Sequence, residues 1–142
     1  MNHVSARGKT RAIIVDDDTD LARSTALILK RQGFSVNVAN DGAAAIHQAE
    51  HNPFDIAPLD IKMPGMDGVE TYKRLKAIQP DLAAIMMTGY SVEDRTLEAL
   101  REGALAVLNN PLDLERLLDL IEKAMWKRSN RASRKNDDLA DE

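Results

Sequence analysis

The sequence predicts an α/β fold: a doubly wound, open, parallel sheet of five strands with helices on both faces. Three observations carry this. Short apolar runs alternate five times with segments that bear helix signals, the pattern of successive βαβ units. The runs are almost continuously apolar, as in "IIV" and "LAAIMM", which suits strands buried on both faces. Apart from Pro58, the turn and cap residues that bound the helices fall between the runs rather than inside them.

Taken in order, Ala12–Val15 is the first strand, and the helix after it starts with Asp18 and Asp20, acids that favour a helix N-terminus. Gly33 stands where that helix should end. Phe34–Val38 is the second strand, and Asp41 can cap a helix through Gln48 that Asn52-Pro53 stops. Phe54–Leu59 is the third strand, although Pro58 lies inside it and predicts a bulge or a weakened rung. Pro64-Gly65 and Asp67-Gly68 are turn chemistry that shapes the wall behind the strand end. Leu82–Met87 is the fourth strand. Ser91 with Asp94 resembles a capping box, and Gly103 marks the end of the helix it opens. Leu105–Leu108 is the fifth strand. After Pro111, Asp113 can cap a last helix whose Leu114, Leu117, Leu118, Ile121 and Met125 share one face. This divides the chain into a flexible leader (1–9), one domain (10–126) and a polar charged tail or linker (127–142).

Composition narrows the function. The 142 residues suit a single domain. No cysteine is present, which excludes disulfides and thiolate metal sites and suits a cytoplasmic protein. No apolar run approaches the ~20 residues of a membrane span. The start "MNHVSARGKTR" lacks the apolar core of a signal peptide. A net charge of −4, from 19 basic and 23 acidic residues, argues against direct nucleic-acid binding by this domain. Five cations between Lys127 and Lys135 read as a solvated helix end or linker.

In such a sheet, ligands bind beyond the carboxyl ends of the strands. The residues there are Asp16, Asp17 and Asp18 after the first strand, Asp60 after the third, Thr88 and Gly89 after the fourth, and Asn109, Asn110 and Pro111 after the fifth. Crowded carboxylates repel one another by roughly 1 kcal/mol per close pair in water, and more in a drier cleft. A cation explains why a chain would gather them. Oxygen donors without imidazole or thiolate select hard ions such as Mg²⁺, Mn²⁺ or Ca²⁺. Beside such an ion a carboxylate can attack phosphorus, while a hydroxyl such as Thr88 steadies the transferred oxygens. His47 and His51 stand at i, i+4 on another helix, a spacing that fits a metal but that surface helices usually leave unused.

The segments "IIVDDD", "LDIKMPGMDG", "MMTGY" and "NNPLD", in this order and at these intervals, resemble the receiver domain of bacterial response regulators, over about residues 10 to 126. The resemblance implies a flavodoxin-like sheet of order 2-1-3-4-5. It implies that Asp60 accepts a phosphoryl group from a sensor histidine kinase, and that Asp16, Asp17, Asp60 and the Lys62 backbone carbonyl hold Mg²⁺. Thr88 would be the switch hydroxyl. A downstream effector protein or domain would read the state, and the fourth helix, fifth strand and last helix would form a homodimer or partner face.

Three positions depart from the family pattern, the first of them Pro58 inside the third strand, which the family fold places in the sheet interior. Asn110 stands where the family has a lysine that pairs with the phosphoryl group. A neutral hydrogen bond in place of a charge-assisted one costs about 1–2 kcal/mol, so phosphorylation should survive with a weaker coupling to the switch. Val107 takes the place of a switching aromatic, a role for which Tyr90 is a candidate. The alternative reading is a degenerate receiver that binds or dimerises without phosphate. A Mg²⁺-dependent phosphohydrolase is disfavoured, because Ile61 and Lys62 supply no acid/base after the nucleophile.

Overall fold

Five parallel strands form one sheet: β1 (Arg11–Val15), β2 (Ser35–Ala39), β3 (Ile56–Asp60), β4 (Ala83–Thr88) and β5 (Ala106–Asn109). Their spatial order is β2-β1-β3-β4-β5, the expected doubly wound order. The computed structural model describes residues 4–5, 8–88, 93–109 and 114–140, with backbone only at 4, 5, 8, 93, 109 and 128–140. The connecting helices are α1 (Thr19–Arg31), α2 (Gly42–His51), α3 (Gly68–Ile78) and α4 (Glu93–Arg101), followed by α5 (Leu114–Ala140).

The continuous apolar strands are explained by two cores. Successive strand residues point to opposite faces, and both faces are covered. Ile13, Val15, Ala57, Leu59, Ala84 and Met86 pack on one side with Ala45 and Ala49 of α2, Val69, Tyr72 and Leu75 of α3, and Ala99 of α4. Ala12, Ile14, Ile56, Ile85 and Leu108 pack on the other with Ala22, Ala26 and Leu29 of α1 and Leu117, Ile121 and Ala124 of α5. Leu114, Leu118 and Met125 flank that second core, as their shared face predicts.

Local chemistry sets the helix ends. Asp18 caps α1 by accepting from the Leu21 N–H at 3.1 Å, and Gly33 follows with φ 98°. Asp41 caps α2 by accepting from Ala44 N–H at 2.7 Å. This helix runs three residues past Gln48, to His51, and stops where Asn52, forced extended by Pro53, takes φ −139° and ψ 140°. Gly103 (φ 105°) ends α4, with Ala104 N–H donating to the Ala99 carbonyl at 3.0 Å. The caps expected from Ser91 and Asp113 lie outside the described residues.

Regular structure also occurs on both flanks of the sheet-and-helix core. Val4–Ser5 pairs antiparallel with Gly8–Lys9. The last helix continues through the polar stretch to Ala140, which contains no Gly or Pro to break it after Trp126.

Pro58 weakens a rung without a bulge. On the β1 side, Ala12 faces Ile56 and Val15 faces Leu59, an unchanged offset, while the two rungs between them are missing. Those are the rungs that an N–H of residue 58, donating to the Ile13 carbonyl, would close, and proline has no such N–H. Towards β4 the ladder runs unbroken, with Pro58 opposite Ile85.

Candidate functional site

Because all five strands are parallel, their carboxyl ends share one edge, and the chain places its acids there. Asp16 is the first residue beyond β1. Its N–H donates to the Ala39 carbonyl at 3.1 Å, which ties it to the end of β2. The Asn40 side chain donates to the Asp16 carbonyl at 3.1 Å, and Asp16 Oδ1 accepts from the Asp18 N–H at 3.0 Å. Asp60 ends β3 opposite Met87, one residue before Thr88 on the neighbouring strand. Asp60 Oδ1 accepts from the Lys62 N–H at 3.2 Å. Asp16 and Thr88 are buried, Asp60 is half-buried, and Asp17 is exposed at the rim.

Oxygens of Asp16, Asp17 and Asp60 lie within 4.8 Å of one another. The electrostatic consequence is strong. Burial, then the charges of Asp16 and Asp17, push the Asp60 carboxyl up to about 7, against the hydrogen bond from Lys62 N–H, which lowers it. Burial also raises Asp16, helped by Asp17 and Asp18. The ordinary carboxylate value is near 4, so this cup disfavours its own charges. A divalent cation would relieve that repulsion, and three oxygen donors without nitrogen or sulfur fit a hard ion.

A tight backbone contact fixes the wall of the cup. Gly68 N–H donates to the Ile61 carbonyl at 2.8 Å. A Cβ on residue 68 would sit 2.1 Å from the Asp60 carbonyl oxygen and 2.8 Å from the Ile61 Cα. Only glycine lets the start of α3 press against the backbone of Asp60. Beside it, Asp67 caps α3 by accepting from Glu70 N–H at 2.9 Å and receives Arg95 of α4 at 2.7 Å. Arg95 and Lys73 both pair with Glu98.

The sequence reading thus places Asp16, Asp17, Asp60 and Thr88 together, and the structure brings them to one edge. Lys62 is exposed beside Asp60. Asn110 and Tyr90 lie outside the described residues. Val107 is partly buried on the α2–α4 side of the sheet, opposite Met86. Sequence reasoning missed Asn40 and Arg95. Asn40 has a local signal, since it follows β2 at the same sheet edge. Arg95 has none, because its partner is 28 residues away.

An open parallel sheet of order 2-1-3-4-5 with an acid cup at its carboxyl edge defines a flavodoxin-like α/β domain rather than a particular chemistry. Comparison with known proteins settles the family. Residues 12–122 match the model of the response regulator receiver domain, and the chain belongs to that family. It is the receiver domain of a two-component response regulator. It is 37% identical over 119 residues to the transcriptional regulatory protein ZraR of Salmonella typhimurium, covering 84% of this chain and 27% of that protein. It is 40% identical over 110 residues to a response regulator receiver protein of Anaeromyxobacter sp., covering 78% of this chain and 46% of that one. The chain therefore spans less than half the length of these relatives. Among solved structures, a CheY-like receiver domain protein from Methanospirillum hungatei superposes with a TM-score of 0.83 at 31% identity, covering 87% of this chain and 99% of that one. Receivers as a family are phosphoacceptors that work with histidine kinases and effector domains. No helix among the described residues is long and apolar enough to cross a membrane.

Proposed function

We propose that Asp60 is the phosphoacceptor of this receiver. A carboxylate oxygen of Asp60 attacks phosphorus, a P–O bond forms, and the bond to the donor imidazole of a sensor histidine kinase breaks, its electrons and a proton ending on that imidazole. The single observation that carries this reading is the cup itself: three acids from two strand ends within 4.8 Å, with the nucleophile's carboxyl raised to about 7. Asp16, Asp17, Asp60 and the Lys62 carbonyl are the residues that would hold Mg²⁺. When bound, that ion supplies positive charge against the oxygens of the transferring group.

The protein's own groups do the rest. Lys62 N–H and the Gly68 contact hold Asp60 in place, so the attacking oxygen is positioned before the donor arrives. The Thr88 hydroxyl, buried on the adjoining strand, donates to a phosphoryl oxygen and moves with it. Asn110 offers a neutral hydrogen bond where the family has lysine, which weakens the link between phosphate and switch by about 1–2 kcal/mol. The domain is not an enzyme in the ordinary sense, beyond loss of its own phosphoryl group to water. Its state is read in the cytoplasm by an effector protein or domain, or by a second copy across α4, β5 and α5. It reads no nucleic acid directly.

Incubation with Mg²⁺ and a small phosphodonor, followed by intact mass, tests this. One phosphoryl adduct on the wild type and none on Asp60→Asn is the expected outcome. An undiminished adduct on Asp60→Asn, or none on the wild type, overturns it.

A further inference from the structure

We propose that the exposed face of α2 binds a borderline divalent metal ion of the Zn²⁺ class through His47, Glu50 and His51. Ligand atoms of these three residues lie within 4.8 Å of one another, and all three side chains are exposed. The two imidazoles tilt together with ring centroids 4.7 Å apart. Small rotations of such side chains reach the ~2.0–2.1 Å bond lengths of zinc to nitrogen or oxygen.

Two further observations separate this cluster from an ordinary polar surface. The first is the state of His51. Its Nδ1 lies 2.8 Å from the His47 carbonyl oxygen. A carbonyl only accepts, so the proton of that bond sits on Nδ1. In the neutral ring this leaves the lone pair on Nε2, the nitrogen that is not used in that bond. Donation of the second ring nitrogen to a backbone carbonyl is the arrangement that orients metal-binding histidines. The second is the rigidity of the helix beneath. Ala45 and Ala49 are buried in the core. Between the two histidines, Gln48 is tied to β2: its Oε1 accepts from the Asn37 side chain at 2.9 Å and its Nε2 donates to the Val38 carbonyl at 2.9 Å. The face that carries His47, Glu50 and His51 is therefore held outward.

The site is distinct from the acid cup in place and in chemistry. Asp41, at the start of α2, follows the strand end tied to Asp16, whereas His47–His51 closes the helix, about 10–15 Å away by the helical rise. Two imidazoles and a carboxylate select Zn²⁺, Ni²⁺ or Cu²⁺, while the cup's oxygens select Mg²⁺. With three protein donors, the ion keeps water or a donor from another molecule at its fourth position.

Calorimetric titration of the whole chain with Zn²⁺, in excess Mg²⁺ to saturate the cup, reads the site directly. The expected result is one Zn²⁺ per chain, weakened at least ten-fold in His47→Ala and in His51→Ala and unchanged in Asp60→Asn. Far-UV circular dichroism of the exposed-site variants checks that they fold like the wild type. No Zn²⁺ binding by the wild type, equal affinity in His51→Ala, or loss in Asp60→Asn instead would each overturn the proposal. Nitrogen hyperfine coupling from two imidazoles in the Cu²⁺ complex is an independent signature, and its absence counts equally against the site.

Discussion

Asp60 and Asp67 stand at the two ends of one loop, yet they live in opposite electrostatic worlds. Asp60 faces Asp16 and Asp17, and its carboxyl rises to about 7. Burial would raise Asp67 too, but the hydrogen bond from Arg95, the Glu70 N–H and the Arg95 charge outweigh it and hold the carboxyl below its usual value. A carboxylate that builds the fold is paired within the chain. Asp60, which by the function proposed above serves a ligand, keeps its repulsion unrelieved within the cup, so that the ligand has something to relieve. The fold therefore carries a locally destabilised edge on a sheet whose two faces are packed mainly by apolar side chains.

The largest blow to this comparison should come from Gly68→Ala, which strikes both acids at once. The added methyl meets backbone, 2.1 Å from the Asp60 carbonyl oxygen, and cannot be accommodated by a rotamer change. Overpacking of this kind costs about 3 kcal/mol. Denaturant melts should show that loss, and phosphorylation should slow because the Asp60 backbone is displaced. A variant of wild-type stability would mean that the start of α3 does not hold Asp60.

Next in size are two substitutions of opposite sign. Without divalent metal at pH 8, Asp60→Asn should stabilise the domain by about 1–3 kcal/mol after allowance for solvent screening. The folded-state carboxyl titrates near 7, above its unfolded value of about 4, so its cost grows as pH rises from 4 through 7. The advantage of Asn should fade towards pH 4 and reverse on adding Mg²⁺ at neutral pH. Asp67→Ala should instead destabilise by about 1–2 kcal/mol, from the lost cap and ion pair. Because the folded Asp67 carboxyl is lowered, its contribution is present above pH ~4 and disappears as pH falls through the folded value. Thermal melts of both variants from pH 4 to 8 separate them; parallel profiles would erase the contrast.

This contrast also marks what the sequence could reveal. Strand ends, caps and the acid run are local signals, each decided within a few residues, so the amino-acid order alone assigns Asp16, Asp17, Asp60 and Thr88 to one edge. The course of α1 between Asp18 and Gly33 was legible for the same reason. Arg95 to Asp67, Lys73 to Glu98 and the Gly68 contact are products of packing between elements, and nothing in the spacing announces them. How far α5 continues, here to Ala140, was left open by the sequence, because a polar charged stretch fits a helix end or a linker alike. The state of the His51 ring could not be read from i, i+4 spacing at all, since it depends on one side-chain torsion.

The smallest effect is expected at Pro58, where the same strand that ends in Asp60 gives up part of its ladder. Pro58→Val supplies an N–H opposite the Ile13 carbonyl and keeps a buried apolar side chain of similar size. The new hydrogen bond contributes about 0.5–1.5 kcal/mol. Against it, losing proline loosens the unfolded chain by about 0.4–1 kcal/mol. The two nearly cancel, so the melting midpoint should move little, while the new amide of residue 58 should exchange as slowly as its neighbours in β3. Rapid exchange at that amide would show that the gap is imposed by the geometry of β1 and β3 rather than by the missing donor. In that case the slack beside Asp60 belongs to the fold and not to proline.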